Sequence, residues 1–187
     1  MPSLLRALRL TLALWLLTVV VITLPLLGLA RLLAPEQASG SLLAFQGRVV
    51  GSRLIGQTFQ DPRYLQGRPS AVGGGTGAAP SSGASNLSVA NPQLSAQVRA
   101  RVEAWQRRGV ARPAADLLTS SGSGLDPHIS LTAALQQVPA IARARGQSEA
   151  AVAARVRACA RSPLPGWPLD PLVAVLPCNL ALDQAAS

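Results

Sequence analysis

The longest apolar stretch of the chain runs from Leu10 to Ala30 and contains no charged residue. Its polar side chains are threonine hydroxyls, which in a helix can hydrogen-bond to carbonyls one turn earlier. A helix of these 21 residues would be ~31 Å long, close to the ~30 Å hydrocarbon thickness of a bilayer. The pattern therefore predicts a transmembrane helix over residues 10–30, with a kink at Pro25.

Arginines flank this segment unevenly. Arg6 and Arg9 precede it, whereas the far side carries Arg31 and then no basic residue before Arg48. Because positive charge near a membrane span is retained in the cytoplasm, we expect residues 1–9 to form a cytoplasmic tail. The remainder of the chain then lies outside, which in a bacterium means the periplasm.

A cleaved signal peptide is the alternative interpretation of the same segment. Gly28 and Ala30 are small residues with the mutual spacing of a cleavage site. The apolar run is, however, longer than the ~7–15 residues usual in a signal peptide. Its length therefore favours a retained anchor, and either outcome leaves the following residues outside the cytoplasm.

After a linker over residues 31–40, the pattern changes to that of a single domain over residues 41–187. Short apolar pairs separated by glycines between Leu42 and Phe59 predict short strands joined by tight turns. The low-complexity stretch over residues 72–83, VGGGTGAAPSSG, predicts a loop.

Helical spacing of apolar residues dominates the second half of the chain. Asn91 is a good N-cap for a first helix that Gly109 would end. Ser130 is a suitable N-cap for a second helix that ends at Gly146, and Ser148 for a third.

Pro139 lies inside the second predicted helix and should kink it. Leu172–Leu176 (LVAVL) predicts a short buried strand, and Asn179–Leu182 a possible further strand. Strands at both ends with three helices between them predict a small α/β domain, with α+β as the alternative.

Composition excludes several functions. All 17 basic residues are arginines, so a lysine-containing phosphate loop or a Schiff base cannot be formed. The net charge is +9, but the arginines are scattered and aromatic residues make up only 3% of the chain, so we expect no nucleic-acid partner.

The possible metal and thiol ligands are few. One histidine and two cysteines, Cys159 and Cys178, match no metal-ligand spacing, so we expect no metal site. In an oxidising compartment the two cysteines could form a disulfide, and otherwise they are two buried thiols.

A hydroxyl-rich stretch, Leu117–Ser130, contains the only histidine, His128, close to Asp126 and to several serines and glycines. Backbone amides that glycines leave accessible, together with the dipole of the helix that follows, favour binding of an anion such as phosphate. On this interpretation the stretch contacts a nucleotide. The same residues also suit a structural loop in which serines bond to the backbone. A hydrolase is disfavoured because the G-x-S-x-G pattern is absent and Asp126 and His128 are too close along the chain.

Several stretches of the chain resemble the C subunits of the Kdp potassium-transporting ATPase. The matching stretches are Gly51–Gln57 (GSRLIGQ), Phe59, Arg68–Ala71 (RPSA), Ser85–Leu87 (SNL), Asn91–Pro92, Asp116–Leu117, Ser120–Ser130 (SSGSGLDPHIS), Ala144–Gly146 (ARG) and Asn179–Asp183 (NLALD). Together with the N-terminal anchor they extend nearly end to end, and SGSGLDPHIS is the most specific of them.

The resemblance implies a single-pass inner-membrane subunit of an ATP-driven potassium importer. Its partners would be a channel-like A subunit, a P-type ATPase B subunit and a small F subunit. The family's C subunit is described as a catalytic chaperone that raises the ATP affinity of the B subunit. This implies nucleotide contacts at Gln57, Ser120, Ser121, Gly122, Ser123, Gly124, Asp126 and His128.

The implied nucleotide contact conflicts with the predicted topology, because ATP is cytoplasmic. The family's structural picture places the domain on the outer face, against the A subunit. We therefore expect a non-catalytic accessory subunit with no firmly bound cofactor, and ATP involved only through the complex. A nucleotide-binding chaperone using Gln57 and Ser120–Ser130 is the alternative.

Overall fold

The computed structural model describes residues 2–72, 81–162, 164 and 169–184. The described part begins with a long apolar helix in three sections, α1 (Pro2–Thr18), a π-helical turn (Val19–Thr23) and α2 (Leu24–Leu33). It is the one helix among the described residues that is long and apolar enough to cross a membrane, and none of the side chains over residues 3–33 is buried.

The π-helical turn ends at Thr23, two residues before Pro25, where the sequence predicts a kink. Proline has no amide hydrogen and its ring collides with the carbonyl four residues earlier. The preceding turn widens accordingly, and the Leu24 amide donates to the carbonyl of Val19, five residues back. The Thr18 hydroxyl donates to the Leu14 carbonyl at 2.9 Å, as expected for a threonine in an apolar helix.

The predicted tail and linker are more helical than the sequence indicates. Helix α1 already begins at Pro2, and α2 continues to Leu33. A short helix α3 (Pro35–Ala38) follows, after a break at Ala34.

The second compact unit begins with a two-stranded sheet of β1 (Leu42–Phe45) and β2 (Arg48–Ser52). Gln46 and Gly47 connect the strands, and both have positive φ angles, 50° and 76°, as a tight two-residue hairpin requires. The predicted strand at Leu54 and Ile55 is wrong. The Leu54 amide donates to the Ser52 hydroxyl and the Ile55 amide to the Ser52 carbonyl, so these residues form a turn.

Helix α4 (Pro92–Arg107) confirms the first predicted helix and both of its ends. The Asn91 side chain accepts a 2.9 Å hydrogen bond from the Gln93 amide, and Gly109 has a φ of 92°. The remaining described elements are α5 (Ala115–Leu118), β3 (His128–Ser130), α6 (Leu131–Leu135), α7 (Val138–Arg145), α8 (Glu149–Cys159), β4 (Ala160–Arg161), β5 (Leu172–Ala174) and α9 (Val175–Gln184).

The second predicted helix is in fact two, α6 and α7, separated at Gln136 and Gln137. Both glutamines bind loop backbone: Gln136 contacts the Ala114 amide at 2.8 Å, and buried Gln137 contacts the Gln66 amide at 2.8 Å. Pro139 therefore lies in the first turn of α7, where no amide donor is needed.

The predicted strand at Asn179–Leu182 is wrong, because these residues lie in α9. Strand β5 ends at Ala174, and the apolar run that follows buries Val175, Cys178 and Leu182 at helical spacing.

Strands β3, β5 and β4 form an antiparallel sheet in that order, with Ile129 opposite Val173 and Ala160 opposite Val173 on the other edge. Helices α6, α8 and α9 pack on it, and α7 packs on α8. They enclose one core, whose largest buried hydrophobic members include Leu65, Leu117, Ile129, Ile141, Leu182, Val152, Val156 and Val173. This mixed helix and strand domain after one apolar helix confirms the predicted fold class. Most of the predicted loop over residues 72–83 lies outside the described residues.

Candidate functional site

The loop between α5 and β3, residues 119–127, is held by its own serine side chains. The buried Ser121 hydroxyl accepts hydrogen bonds from the backbone amides of Ser123 (3.3 Å), Gly124 (3.1 Å) and Asp126 (3.4 Å). The Ser123 hydroxyl accepts the amide of Leu125 at 3.1 Å. These amides, which could otherwise have bound an anion, are occupied inside the loop.

Asp126 closes the same loop against its neighbours. One carboxylate oxygen accepts the His128 amide at 3.0 Å and lies 3.6 Å from the His128 ring nitrogen Nδ1. The other pairs with Arg68 at 3.1 Å, and both side chains are about a quarter to a third exposed (26% and 31%). The Nε atom of Arg68 is buried and has no hydrogen-bond partner among the described residues.

Three other segments meet at this loop through backbone hydrogen bonds. Gly56 donates to the Leu125 carbonyl at 2.8 Å, and Gly83 donates to the Ser123 carbonyl at 2.8 Å. The Ser121 amide donates to the Pro69 carbonyl at 3.0 Å. Two of these segments, GSRLIGQ and RPSA, carry the family resemblance together with the loop, so stretches that are far apart in the chain form one structural unit.

Helix α4 contributes a cationic and aromatic wall beside the loop. Arg101 donates to the Leu118 carbonyl at 2.7 Å and to the Ser120 hydroxyl at 3.2 Å, and burial lowers the pKa of Arg101 from its ordinary value. The Trp105 ring donates to the Leu117 carbonyl at 3.2 Å, and the Arg108 guanidinium lies 5.1 Å from the centre of that ring.

A cavity of about 420 Å³ lies between this wall and the loop. Arg68, Arg101 and Arg108 line it together with Trp105. Guanidinium groups and an indole ring are suited to an anionic group joined to a flat ring.

The predicted site residues divide between this cavity and the surface. Gln57, Ser121, Gly124 and Asp126 line the cavity, whereas Ser120, Gly122, Ser123 and His128 do not. The Gln57 side chain also contacts the hairpin, where its Nε2 donates to the Val50 carbonyl at 3.2 Å.

Sequence reasoning missed the arginine and tryptophan wall. Arg101, Trp105 and Arg108 lie four and then three residues apart, which places them on one face of a helix. That spacing was the available signal. Arg68 could not be found in this way, because its partner Asp126 is 58 residues away.

A second polar cluster ties α9 to the rest of the domain. Arg145, whose side chain is 5% exposed, pairs with Asp183 at 2.8 Å and donates to the carbonyls of Arg63 and Leu182. The Tyr64 hydroxyl donates to Asp183 at 2.7 Å. No group of three or more histidine, cysteine or acidic residues that could hold a metal ion occurs in the described ranges.

The fold and the site define a class of protein: a small mixed helix and strand domain preceded by one membrane-spanning candidate. The family model for KdpC, the K+-transporting ATPase c chain, matches residues 4–184. Three similar proteins are each named potassium-transporting ATPase KdpC subunit. That of Sorangium cellulosum (strain So ce56) is 49% identical over 166 residues, 86% of this chain and 87% of the relative.

The subunit from Cereibacter sphaeroides (strain KD131 / KCTC 12085) is 46% identical over 187 residues, the full length of both chains. That of Methylibium petroleiphilum (strain ATCC BAA-1232 / LMG 22953 / PM1) is 48% identical over 187 residues, covering 98% of each. The chain belongs to the KdpC family and is a subunit of a K+-transporting ATPase complex.

Proposed function

We propose that this chain is a non-catalytic accessory subunit, anchored in the inner membrane by α1 and α2. Its N-terminus lies in the cytoplasm, and the domain that begins with β1 lies in the periplasm. There the domain stabilises a complex of the channel-like A subunit, the P-type ATPase B subunit and the small F subunit, and so supports ATP-coupled potassium import.

The orientation depends on the arginines around the apolar helix. Arg6 and Arg9 lie at its start, and Arg31 is the basic residue in the last turn of α2. Two basic residues before the span and one at its far end favour a cytoplasmic N-terminus.

The non-catalytic role is supported by where the loop hydroxyls point. The Ser121 and Ser123 hydroxyls bind amides of their own loop, and the Ser120 hydroxyl accepts from Arg101. A nucleophilic serine needs its hydroxyl bonded to a general base. Bonded in this way, the loop is better suited to present a fixed surface than to react.

The observation that carries the proposal is the internal bonding of the loop over residues 119–127. His128, the first residue of β3, follows this loop directly; its side chain is 43% exposed, and its amide is held by Asp126, whose own amide is held by Ser121. A preformed, rigid loop loses little conformational freedom on docking. In the periplasm such a loop suits a partner protein better than ATP. An effect on ATP affinity would then be coupled through the assembly.

The cavity beside α4 favours a second candidate, a nucleotide-binding chaperone. Its three arginines and Trp105 suit a nucleotide, and the buried Nε of Arg68 has an open hydrogen-bonding capacity. This alternative requires the domain to lie in the cytoplasm, where ATP is present, and therefore requires the opposite orientation of the membrane helix.

The two candidates are separated by His128→Ala and Arg108→Gln, each made in the full complex. On the docking proposal, His128→Ala lowers copurification with the other subunits about tenfold, a loss of roughly 1.4 kcal/mol, without changing the melting temperature. Gln93→Ala, at an exposed position of α4, is the control and leaves copurification unchanged.

The nucleotide candidate makes a different prediction for the same variants. An ATP photocrosslink on this chain that Arg108→Gln abolishes, with copurification intact, would favour that candidate. Robust ATP or ester hydrolysis by the purified chain alone would contradict the non-catalytic role.

A further inference from the structure

The two cysteines, 19 positions apart in the chain, lie on one cavity of about 570 Å³. Cys159 is the last residue of α8, and Cys178 lies in α9. Arg53, Arg155 and Arg161 line the same cavity. The thiols therefore share a cationic groove that is open to solvent.

The sheet brings the two cysteines together. Strand β4 begins directly after Cys159 and pairs with β5, with Ala160 opposite Val173. Helix α9 begins directly after β5 and packs against α8. The end of α8 and the first turns of α9 are thus fixed side by side by a common strand pairing.

Burial distinguishes the two thiols. Cys178 is fully buried (0% exposed), whereas Cys159 is only partly buried. A reagent that enters the groove would meet Cys159 first, with Cys178 behind it.

The electrostatics differ in the same direction. A hydrogen bond with the Cys178 thiol, and to a smaller extent the charge of Arg161, lowers the pKa of Cys159 from 9.0 to about 7. The same hydrogen bond and burial raise the pKa of Cys178. The accessible thiol is therefore the one that carries thiolate near neutral pH, and thiolate is the reactive form.

We propose that Cys159 and Cys178 form a thiol-disulfide site in which Cys159 reacts first and Cys178 resolves the product into an intramolecular disulfide. The oxidant is a small disulfide or a disulfide-donating protein. The Cys159 thiolate attacks one sulfur of that disulfide and expels one thiolate. The Cys178 sulfur, after losing its proton to the expelled thiolate, then attacks the Cys159 sulfur and expels the second. Two thiols of the chain are oxidised and one external disulfide is reduced to two thiols.

The product would link the end of α8 to α9 across the groove. Formation of the bond in cells rests on the proposed periplasmic location, because cytosolic thiols are kept reduced. The chemistry itself does not depend on location and can be measured on the purified chain.

The test uses the full-length chain, purified in detergent with reductant and then exposed to oxidised glutathione. Mass spectrometry of a non-reduced digest should show one peptide pair joined through Cys159 and Cys178. In Cys178→Ala the reaction should stop at a glutathione adduct on Cys159. In Cys159→Ala, Cys178 should react at least ~10-fold more slowly than Cys159 does in the first variant.

Arg161→Gln should slow the first step while leaving the final disulfide intact. A wild-type chain that keeps both thiols, accumulates a stable adduct on Cys159, or forms only intermolecular disulfides would overturn the proposal. If the purified chain forms the bond but alkylation in intact cells traps both thiols reduced, the proposed location fails and the site stands.

Discussion

Gly56 lies against the carbonyl oxygen of Asp126 so closely that a side chain has no room between them. The Gly56 amide also donates to the neighbouring Leu125 carbonyl at 2.8 Å. A backbone hydrogen bond thus joins two of the stretches that resemble the family, GSRLIGQ and SSGSGLDPHIS. This contact explains why a glycine is needed at position 56 although its φ angle is not in the left-handed region.

Gly56→Ala should therefore destabilise the domain by about 2–4 kcal/mol, because the added methyl group must push the Asp126 carbonyl away. The measurement is chemical denaturation of the full-length chain in detergent. Gly122→Ala is the matched control: nothing lies within 4 Å of a methyl group added there. Its effect should stay within about 0.5 kcal/mol, and equal effects of the two changes would contradict the packing described.

Asn179 is the buried side chain that joins α9 to the segment around Leu65. Its side-chain oxygen Oδ1 accepts a hydrogen bond from the Leu65 backbone amide at 2.8 Å, and its side-chain nitrogen Nδ2 donates to the Leu65 carbonyl at 3.1 Å. Asn179→Ala would leave both buried backbone groups without a partner, and should cost about 2–4 kcal/mol in the free energy of unfolding.

Asn91→Ala is the control for that change, because Asn91 caps α4 at a partly exposed position. Loss of this cap should cost about 1 kcal/mol. A smaller effect at position 179 than at position 91 would be the contrary result.

Tyr64 is the only tyrosine of the chain, so its ionisation can be followed by near-ultraviolet absorbance. Its hydrogen bond to Asp183, followed by burial, raises the pKa of Tyr64 above the ordinary 10.0. A raised pKa stabilises the folded protein below the ordinary value, and this stabilisation is lost as the pH rises through the folded value. The free energy of unfolding should therefore fall with increasing pH above about 10.

Tyr64→Phe should remove that part of the pH dependence and lower stability at neutral pH by about 1 kcal/mol, the value of one hydrogen bond. Tyrosinate absorbance that appears at the ordinary pKa in the folded protein would argue against the Asp183 contact.

Pro139→Ala tests the division of the predicted second helix. In the first turn of α7, proline lacks only an amide that would have no helical partner. The substitution should change stability by less than about 1 kcal/mol. A gain of about 3 kcal/mol, as expected when proline is removed from a helix interior, would instead indicate one continuous, kinked helix.

Local signals in the sequence predicted the helix ends well. The caps at Asn91, Ser130 and Ser148 bind amides of the following turn, and Gly146 ends α7 with a φ of 63°. These positions are predictable because each cap depends on residues within three or four positions.

Long-range contacts explain the predictions that were wrong. Gln136 and Gln137 divide a helical pattern because their side chains bind backbone groups 22 and 71 positions away. The partner of Asn179 is 114 positions away. Apolar periodicity contains no information on such pairs, so the apolar run after β5 looked like a strand.

The sequence indicated which residues form the candidate site, but not how they are arranged in three dimensions. The sequence placed Ser120–Ser130 at the centre, and this loop does collect the other family stretches. Whether its amides were free for an anion or bonded to Ser121 depended on how the loop closes. The arginines of α4 could be assigned to the candidate site only from the tertiary structure, which places them beside this loop.

The proposed function depends most directly on the side of the membrane that holds the domain. Two reporters fused in separate strains after Ser187 measure this: one active only in the periplasm, the other only in the cytoplasm. We expect activity from the periplasmic reporter alone, as for a chain anchored by residues 10–30 with its N-terminus inside. Activity from the cytoplasmic reporter alone would place the domain beside ATP and contradict the account.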